Sequence, residues 1–432
     1  MRRALASGLA LTLAAALPAP ALDLDYDVGA YLRHSDNINL SPNAPQDDNV
    51  VAPTLRFELS QAGADVQLSG IGLLQYTDYL DDTFKDELRA GFAGGLDWAI
   101  VPERLNLVFQ DYLSQQNIND LDSSTPDNLQ HVNLFVMGPS LHTRFNPATR
   151  GQFDLRYGNT YAEESEAFKG DRYSAAARVR RELNPTTEIA GNLEAAKIEY
   201  DRVGSAANYE RYDAYLSYKL RRVALDLDLD AGYSQLDRAA GAGTSSSPLL
   251  RAVAAYKLTP RSTLRADVRR QYTDATQYLI TPVLDFSDRR FSELAYRDIS
   301  IDPNVFRERS VRVGYEFNGI RTSARVQPYI RRIDYFNPTT QDQDQDLKGV
   351  AFDIEYRPRP LLSLSLYASQ EKRDYDDLAR NDQDTLIDVG VTKRFTRHWS
   401  ASFHVSRRER DSAVPGQDYR ENSAQLSFNY RR

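Results

Sequence analysis

Residues 223–233 read VALDLDLDAGY, and apolar and acidic side chains alternate through them with a period of two. That period is the feature that most restricts the fold. Residues two apart in a strand share a face. Val223, Leu225, Leu227, Leu229 and Ala231 therefore point one way, and Asp226, Asp228 and Asp230 the other. A helix, at 3.6 residues per turn, would scatter the same side chains around its axis. The segment is a strand with one apolar and one wet face. It suits a sandwich whose polar side is outward, or a membrane barrel whose polar side is inward.

The rest of the chain decides between these. The alternation returns in RGQFDLRYGNTY, RYDAYLSYKL, STLRADVRRQY, SVRVGYEFNG, GVAFDIEYRP, LLSLSLYASQ, IDVGVTKRF and WSASFHVSRR. Many of these apolar faces end in Tyr or Phe, as an aromatic girdle requires. The connections come in two sizes. Tight ones are residues 101–104, 146–149, 184–187, 221–222, 259–262, 318–319, 357–360 and 396–398, with a ninth at 60–65. Most carry Pro or Asn-Gly, which favour turns through their backbone angles. Long polar excursions such as NINDLDSSTPDN, DRAAGAGTSSSP and TTQDQDQD lie between them. Short turn, strand, long loop, strand is the layout of an up-and-down barrel, and a sandwich has no reason to sort its connections in this way.

Nine tight turns, with one strand left at each terminus, predict an all-β, closed antiparallel up-and-down transmembrane β-barrel of about 20 strands. Barrels of 18 or 22 strands are the neighbouring even counts. At about 10 residues per strand, half of the chain forms the wall and no segment is left for an internal plug domain. A barrel above about 16 strands encloses an aqueous lumen. The longest connection, about Ala275 to Glu308, either folds inward as a constriction or packs outside as a lid.

The N-terminus, MRRALASGLALTLAAALPAPA, has a basic start, a short apolar run and a small-x-small site. Residues 1–21 are predicted to be a secretory signal peptide and 22–432 a single barrel domain. The chain has no Cys, so neither a disulfide framework nor a lipidated thiol is expected. Beyond residue 21 no apolar run is long enough for a transmembrane helix. The negative mean hydropathy fits a barrel, in which only alternate residues need be apolar.

Enzyme signatures are missing. The five His residues, 34, 131, 142, 398 and 404, have no metal-ligand spacing, and there is no nucleophile elbow or P-loop. No cofactor, metal or nucleic-acid partner is expected. Asp342, Asp344 and Asp346 have a spacing that can hold Ca²⁺, but the loop lacks the Gly and Glu of that pattern and reads better as a solvated acidic loop. The wet faces are more informative. They place Arg178, Arg211, Asp213, Tyr215, Asp226, Asp228, Asp230, Arg265, Arg269, Arg312, Arg325, Tyr329, Arg331, Asp353, Glu355, Tyr367 and Arg394 toward the pore. Charges of both signs with Tyr among them can bind sugars. They can equally brace the wall as ion pairs, and bracing accounts for more than half of them.

After the first strand comes YLRHSDNINLSP. Its residues Ser35, Asp36, Asn37, Ile38, Asn39 and Leu40 suit a turn, because Asp and Asn cap their own backbone. The same phrase resembles that of a family of outer-membrane barrels associated with exopolysaccharide synthesis and export loci, some of the PEP-CTERM type. The closing stretch ENSAQLSFNYRR resembles the terminal assembly signal of bacterial outer-membrane barrels, except that Arg431 and Arg432 follow the last aromatic. The resemblance implies a porin-like component of the outer membrane through which a secreted polysaccharide leaves. Implied partners are outer-membrane lipid, the polysaccharide, the periplasmic or inner-membrane synthesis machinery, and the barrel-assembly machinery during biogenesis. A general small-solute porin and a structural or adhesion barrel with matrix-binding loops share the bulk features of the sequence.

Overall fold

The computed structural model describes residues 22–201, 207–239, 243–276, 279, 303–336, 343–376 and 378–432. The segment expected to be a signal peptide, most of the long connection after residue 279, and Asp342 lie outside the described residues. Twenty strands follow one another: β1 Asp23–Ser35, β2 Asp48–Ala62, β3 Val66–Tyr79, β4 Glu87–Val101, β5 Leu105–Asn117, β6 Leu129–Asn146, β7 Thr149–Ala162, β8 Gly170–Asn184, β9 Thr187–Tyr200, β10 Tyr209–Arg221, β11 Leu225–Arg238, β12 Gly243–Thr259, β13 Ser262–Asp274, β14 Val305–Asn318, β15 Thr322–Tyr335, β16 Gln345–Arg359, β17 Leu362–Tyr375, β18 Asn381–Arg394, β19 Trp399–Ser412 and β20 Tyr419–Arg431.

Each strand pairs antiparallel with the next. β1 then pairs with β20 from Asp27 opposite Arg431 to Ser35 opposite Ser423, which closes the sheet. The expected strand number and topology hold. All nine tight turns, the start of β1 and the end of β20 fall at one end of the barrel, and the long connections leave from the other.

The details of the wall differ from expectation in two ways. The strands are 13 to 18 residues long, where about 10 cross a bilayer. At about 3.3 Å per residue and a tilt near 40°, such strands overrun a ~25 Å apolar band, and the wall stands clear of it. Some turns also shift by a residue or two. Arg221 belongs to β10, and Val223, expected on the apolar strand face, sits in the turn and is 94% exposed. Residues 357–359 stay in β16, with a register irregularity between Tyr356 and Arg359, so that Pro360 and Leu361 make the turn.

The outer face is apolar and bare. Leu155, Leu193, Leu216, Val311, Ile330, Val389 and Phe403 are exposed in mid-strand. Aromatic residues fringe this band. Tyr76, Tyr157, Tyr173, Tyr212 and Tyr233 lie toward the loop end, and Trp98, Phe145, Tyr256, Phe395 and Trp399 at the turn end. A large apolar surface between two aromatic girdles is what lipid, not water, stabilises.

Leu216, 71% exposed and midway along β10, tests this band. Leu216→Arg is expected to lower stability by about 2–4 kcal/mol in urea-induced unfolding from lipid vesicles. Val253→Arg, at a position opposite Asp228 in the register, is expected to change it little.

Candidate functional site: the barrel lumen

The face opposite the apolar band is the interior, as contacts across the barrel show. Arg172 on β8 donates to Asp274 at the end of β13 at 2.6 Å, and Tyr209 on β10 bonds the same carboxylate. Strands five apart around the wall can meet at such a distance only across the enclosed space. By register, every candidate named from the wet faces lies on this inner side: Arg178 on β8; Arg211, Asp213 and Tyr215 on β10; Asp226, Asp228 and Asp230 on β11; Arg265 and Arg269 on β13; Arg312 on β14; Arg325, Tyr329 and Arg331 on β15; Asp353 and Glu355 on β16; Tyr367 on β17; and Arg394 on β18.

Many of these groups brace one another. Arg211 meets Asp213 at 3.1 Å, Arg221 meets Asp228 at 2.6 Å, and Arg251 meets Asp230 at 3.7 Å. Arg269 holds Asp267 at 2.8 Å, and Arg265 and Arg325 share Glu316 at 3.0 and 3.8 Å. Arg178 donates to Asn192 at 2.6 Å. Two tyrosines hold carboxylates along the wall. Tyr215 bonds Glu194 on β9, and Tyr329 crosses Gly349 and bonds Glu371. A Cβ at Gly349 would stand 2.4 Å from the Tyr329 ring, so glycine is what lets that ring lie flat. Glu194, Asp267, Glu316 and Glu371 were not singled out from the sequence, although they share the strand phase of residues that were.

The lumen differs between its two ends. Toward the turns it is wet: the Arg265 side chain is 56% exposed, and Val253, on the inner face, is 45% exposed. Toward the loops the inward side chains are buried all round the ring. From β4 to β16 they form one apolar cluster that includes Leu134, Tyr209, Leu236, Phe306 and Ile333, joined by Phe168 of the connection between β7 and β8 and by Ala275 and Leu279 of the long connection. From β17 to β20 buried ion pairs replace it, with Arg373 to Glu371 at 3.0 Å and Arg410 to Asp384 at 2.8 Å.

Of the two arrangements open for the long connection, its described start is folded into the mouth. Asp274, only 3% exposed, accepts from Arg172, Tyr209 and the Thr276 N–H. The connection between β5 and β6 also reaches inward: Asp120 is 3% exposed, and Gln417, in the connection before β20, donates to Asp122 at 3.4 Å. In the acidic connection before β16, Asp344 accepts the Tyr335 N–H at 2.6 Å, and Asp346, at the start of β16, pairs with Arg332 at 2.6 Å. Burial pushes the Asp344 carboxyl up from its ordinary range, against the pull of that N–H.

The Ser35–Leu40 phrase is a latch on the barrel seam. Asp36 accepts from the backbone N–H and the side-chain amide of Asn422, each at 2.7 Å. Asn37, 3% exposed, donates to the carbonyls of Ser41 and Arg420, each at 2.9 Å, and accepts the Ser41 N–H at 3.0 Å. Ser35 donates to Glu421 at 2.7 Å, where Arg33 also pairs. Ile38 packs with Val50 and Tyr79, the Asn39 side chain closes the turn against Ala44 and Gln46, and Leu40 adopts a left-handed φ of 48°. The turn-capping role expected of Asp36 and Asn37 is thus extended to the partner strand, nearly 390 residues away.

Residues 345–432, strands β16–β20, match the model of a family described as "Putative beta-barrel porin 2". These five strands are similar to a β-barrel porin family. No curated protein matches the chain. Among solved structures, a variant ferric enterobactin receptor of Pseudomonas aeruginosa in complex with enterobactin superposes with a TM-score of 0.51 at 10% identity, over 95% of this chain and 81% of that one. Pseudomonas aeruginosa OccK3 (OpdO) gives 0.40 at 11% identity, over 95% and 96% of the two chains. A loop-deletion form of OmpT, an outer membrane protein of Vibrio cholerae, gives 0.36 at 10% identity, over 96% and 100%. The likeness to the receptor is one of fold. The porin-like chain is a closed barrel of the outer-membrane type, with a polar interior and a packed mouth.

Two tests follow from this geometry. Asn37→Ala removes three hydrogen bonds of a buried amide and is expected to cost about 1–3 kcal/mol. A lower temperature for the heat-modifiable gel shift will report it. The chain has no Cys, so Asp122→Cys with Gln417→Cys places a single thiol pair across the mouth. A cleavable bifunctional maleimide between them is expected to lower single-channel conductance several-fold, and cleavage to restore it.

Proposed function

We propose that this porin-like barrel is a passive outer-membrane channel and, more specifically, the exit conduit for a secreted exopolysaccharide. The observation that carries the reading is a wide closed barrel whose turn-end lumen is wet and lined by Arg, Asp, Glu and Tyr, beneath an outer surface that suits lipid. Such side chains replace polymer–water hydrogen bonds one at a time, so a hydrated chain can slide without a deep binding well. The driving force would be polymer synthesis, supplied by a periplasmic or inner-membrane complex at the turn end. The resemblance of the Ser35–Leu40 phrase supports the polymer, and the match of β16–β20 supports the porin. Lipid, the polymer and the barrel-assembly machinery are the partners this reading requires, and it assigns no catalysis. Residues 1–21 would direct export and be removed.

A general small-solute porin is the broader alternative. The buried loop end favours a further reading, a barrel whose loops seal the lumen and bind the surface matrix. Conductance of the refolded protein in planar bilayers separates the three. A conductance that neutral oligosaccharides block reversibly is expected of the conduit. Conductance indifferent to sugars identifies the general porin, and no conductance in wild type identifies the sealed barrel.

A further inference from the structure

The lumen is not lined alike all the way round. On β10, β11 and β13 to β15 the inner face is rich in charged side chains, the aspartates Asp228 and Asp230 and the long arginines Arg265, Arg269, Arg312 and Arg325 among them. On β17, β19 and β20 the chain reads LSLSLYAS, SASFHVS and NSAQLSFN, so serine takes much of the inward phase where Asp and Arg stand in the other strands, while β18 adds Thr392 and Gly390 between Arg394 on the turn side and Asp388, paired with His404 at 3.0 Å, on the loop side. Register aligns these residues. Ser363 faces Thr392, Thr392 faces Ser402, Ser402 faces Ser427, and Ser427 faces Tyr31 of β1. One row of hydroxyls thus runs across five neighbouring strands and over the seam. In the next row toward the loops, Ser365, Gly390, His404 and Gln425 stand side by side.

Two physical consequences separate this strip from the charged wall. A serine ends one atom beyond Cβ, whereas an arginine reaches several atoms further. The strip is therefore a shallow groove, and the free cross-section of the lumen is displaced toward it. Gly390 keeps the groove low, since a Cβ there would meet the His404 ring at 2.3 Å and the Ser365 hydroxyl at 2.6 Å. The second consequence is chemical. Ser402 and Ser427 share one hydrogen bond at 2.7 Å, and a hydroxyl both donates and accepts, so each has capacity left over and can reverse its direction. The paired guanidinium and carboxylate groups opposite are largely satisfied by one another, and taking them from water is costly.

We propose that the β17–β20 strip is a hydroxyl lane that takes an uncharged polyhydroxylated chain, a neutral glycan, while the charged wall governs small ions. The proposal rests on the conduit reading and names its substrate class and its path. Strands β17–β20 lie within the residues that match the porin family model.

The test uses the refolded full-length barrel in liposomes and planar bilayers, with neutral malto-oligosaccharides as the probe and KCl as the ion. Ser402→Arg with Ser427→Asp replaces a hydroxyl pair by an ion pair like those opposite. The lane predicts that oligosaccharide permeation falls about tenfold while KCl conductance changes less than about twofold. Ser402→Thr with Ser427→Thr keeps both hydroxyls and is expected to keep sugar traffic. If the charged pair prevents folding, as heat-modifiable mobility will show, Gln425→Lys carries the same expectation. Parallel loss of sugar and ion traffic, or no loss of sugar traffic, overturns the lane and leaves the conduit standing. A wild-type channel that conducts KCl but passes no oligosaccharide overturns the conduit and the lane together.

Discussion

Everything in this molecule depends on the pairing of β1 with β20. In a lipid environment no water satisfies a free N–H or C=O, so a sheet can cross only if it has no edge. Nineteen hairpin-type neighbours leave two edges, and the row from Asp27–Arg431 to Ser35–Ser423 removes both. The chain reinforces this one non-local joint with side chains. Asp36, Asn37 and Ser35 bond the last strand, and Arg33 pairs with the buried Glu421 carboxylate. No hairpin needs such help, because its turn already holds its strands together.

Closure then separates the two faces of every strand. The outer faces need only be apolar, and they tolerate Leu, Val, Phe and Ala in any order. The inner faces must satisfy charges in a partly wet space, and they do so by cross-strand pairing, as where Arg265 and Arg325 converge on Glu316. Tall side chains cover short ones: Tyr329 lies on Gly349, and the His404 ring lies against Gly390. Where β17, β19 and β20 carry Ser in place of Arg and Asp, the wall becomes thinner and richer in hydroxyls, and the lumen acquires a side.

The mouth follows a different rule from the wall. Strands longer than a bilayer needs carry their inner faces past the apolar band, where the loops fold over them. There the interior becomes a core, apolar from β4 to β16 and ionic from β17 to β20. The Asp274 carboxylate joins the start of the longest connection to two strands on another part of the wall. The described residues at the loop end thus form a layer packed like the inside of a soluble protein.

Strand phase, the sorting of short turns from long loops and the number of strands were legible in the chain itself, because a period of two and a Pro or Asn-Gly turn are local properties. The inward placement of Arg265, Asp228 or Tyr367 followed from phase alone. Strand ends did not, since Val223 and residues 357–359 are alternating or turn-forming in sequence and only the ladder decides where pairing stops. Partner choice was equally out of reach. Asp36 with Asn422, Arg172 with Asp274 and Gln417 with Asp122 join residues that the chain separates by 386, 102 and 295 positions. Nothing local distinguishes such a carboxylate or amide from a solvated one. The hydroxyl lane stands between these cases: the Leu-Ser alternation of β17 was visible, but adjacency to the serines of β19 and β20, and to Tyr31 across the seam, exists only once the sheet has closed.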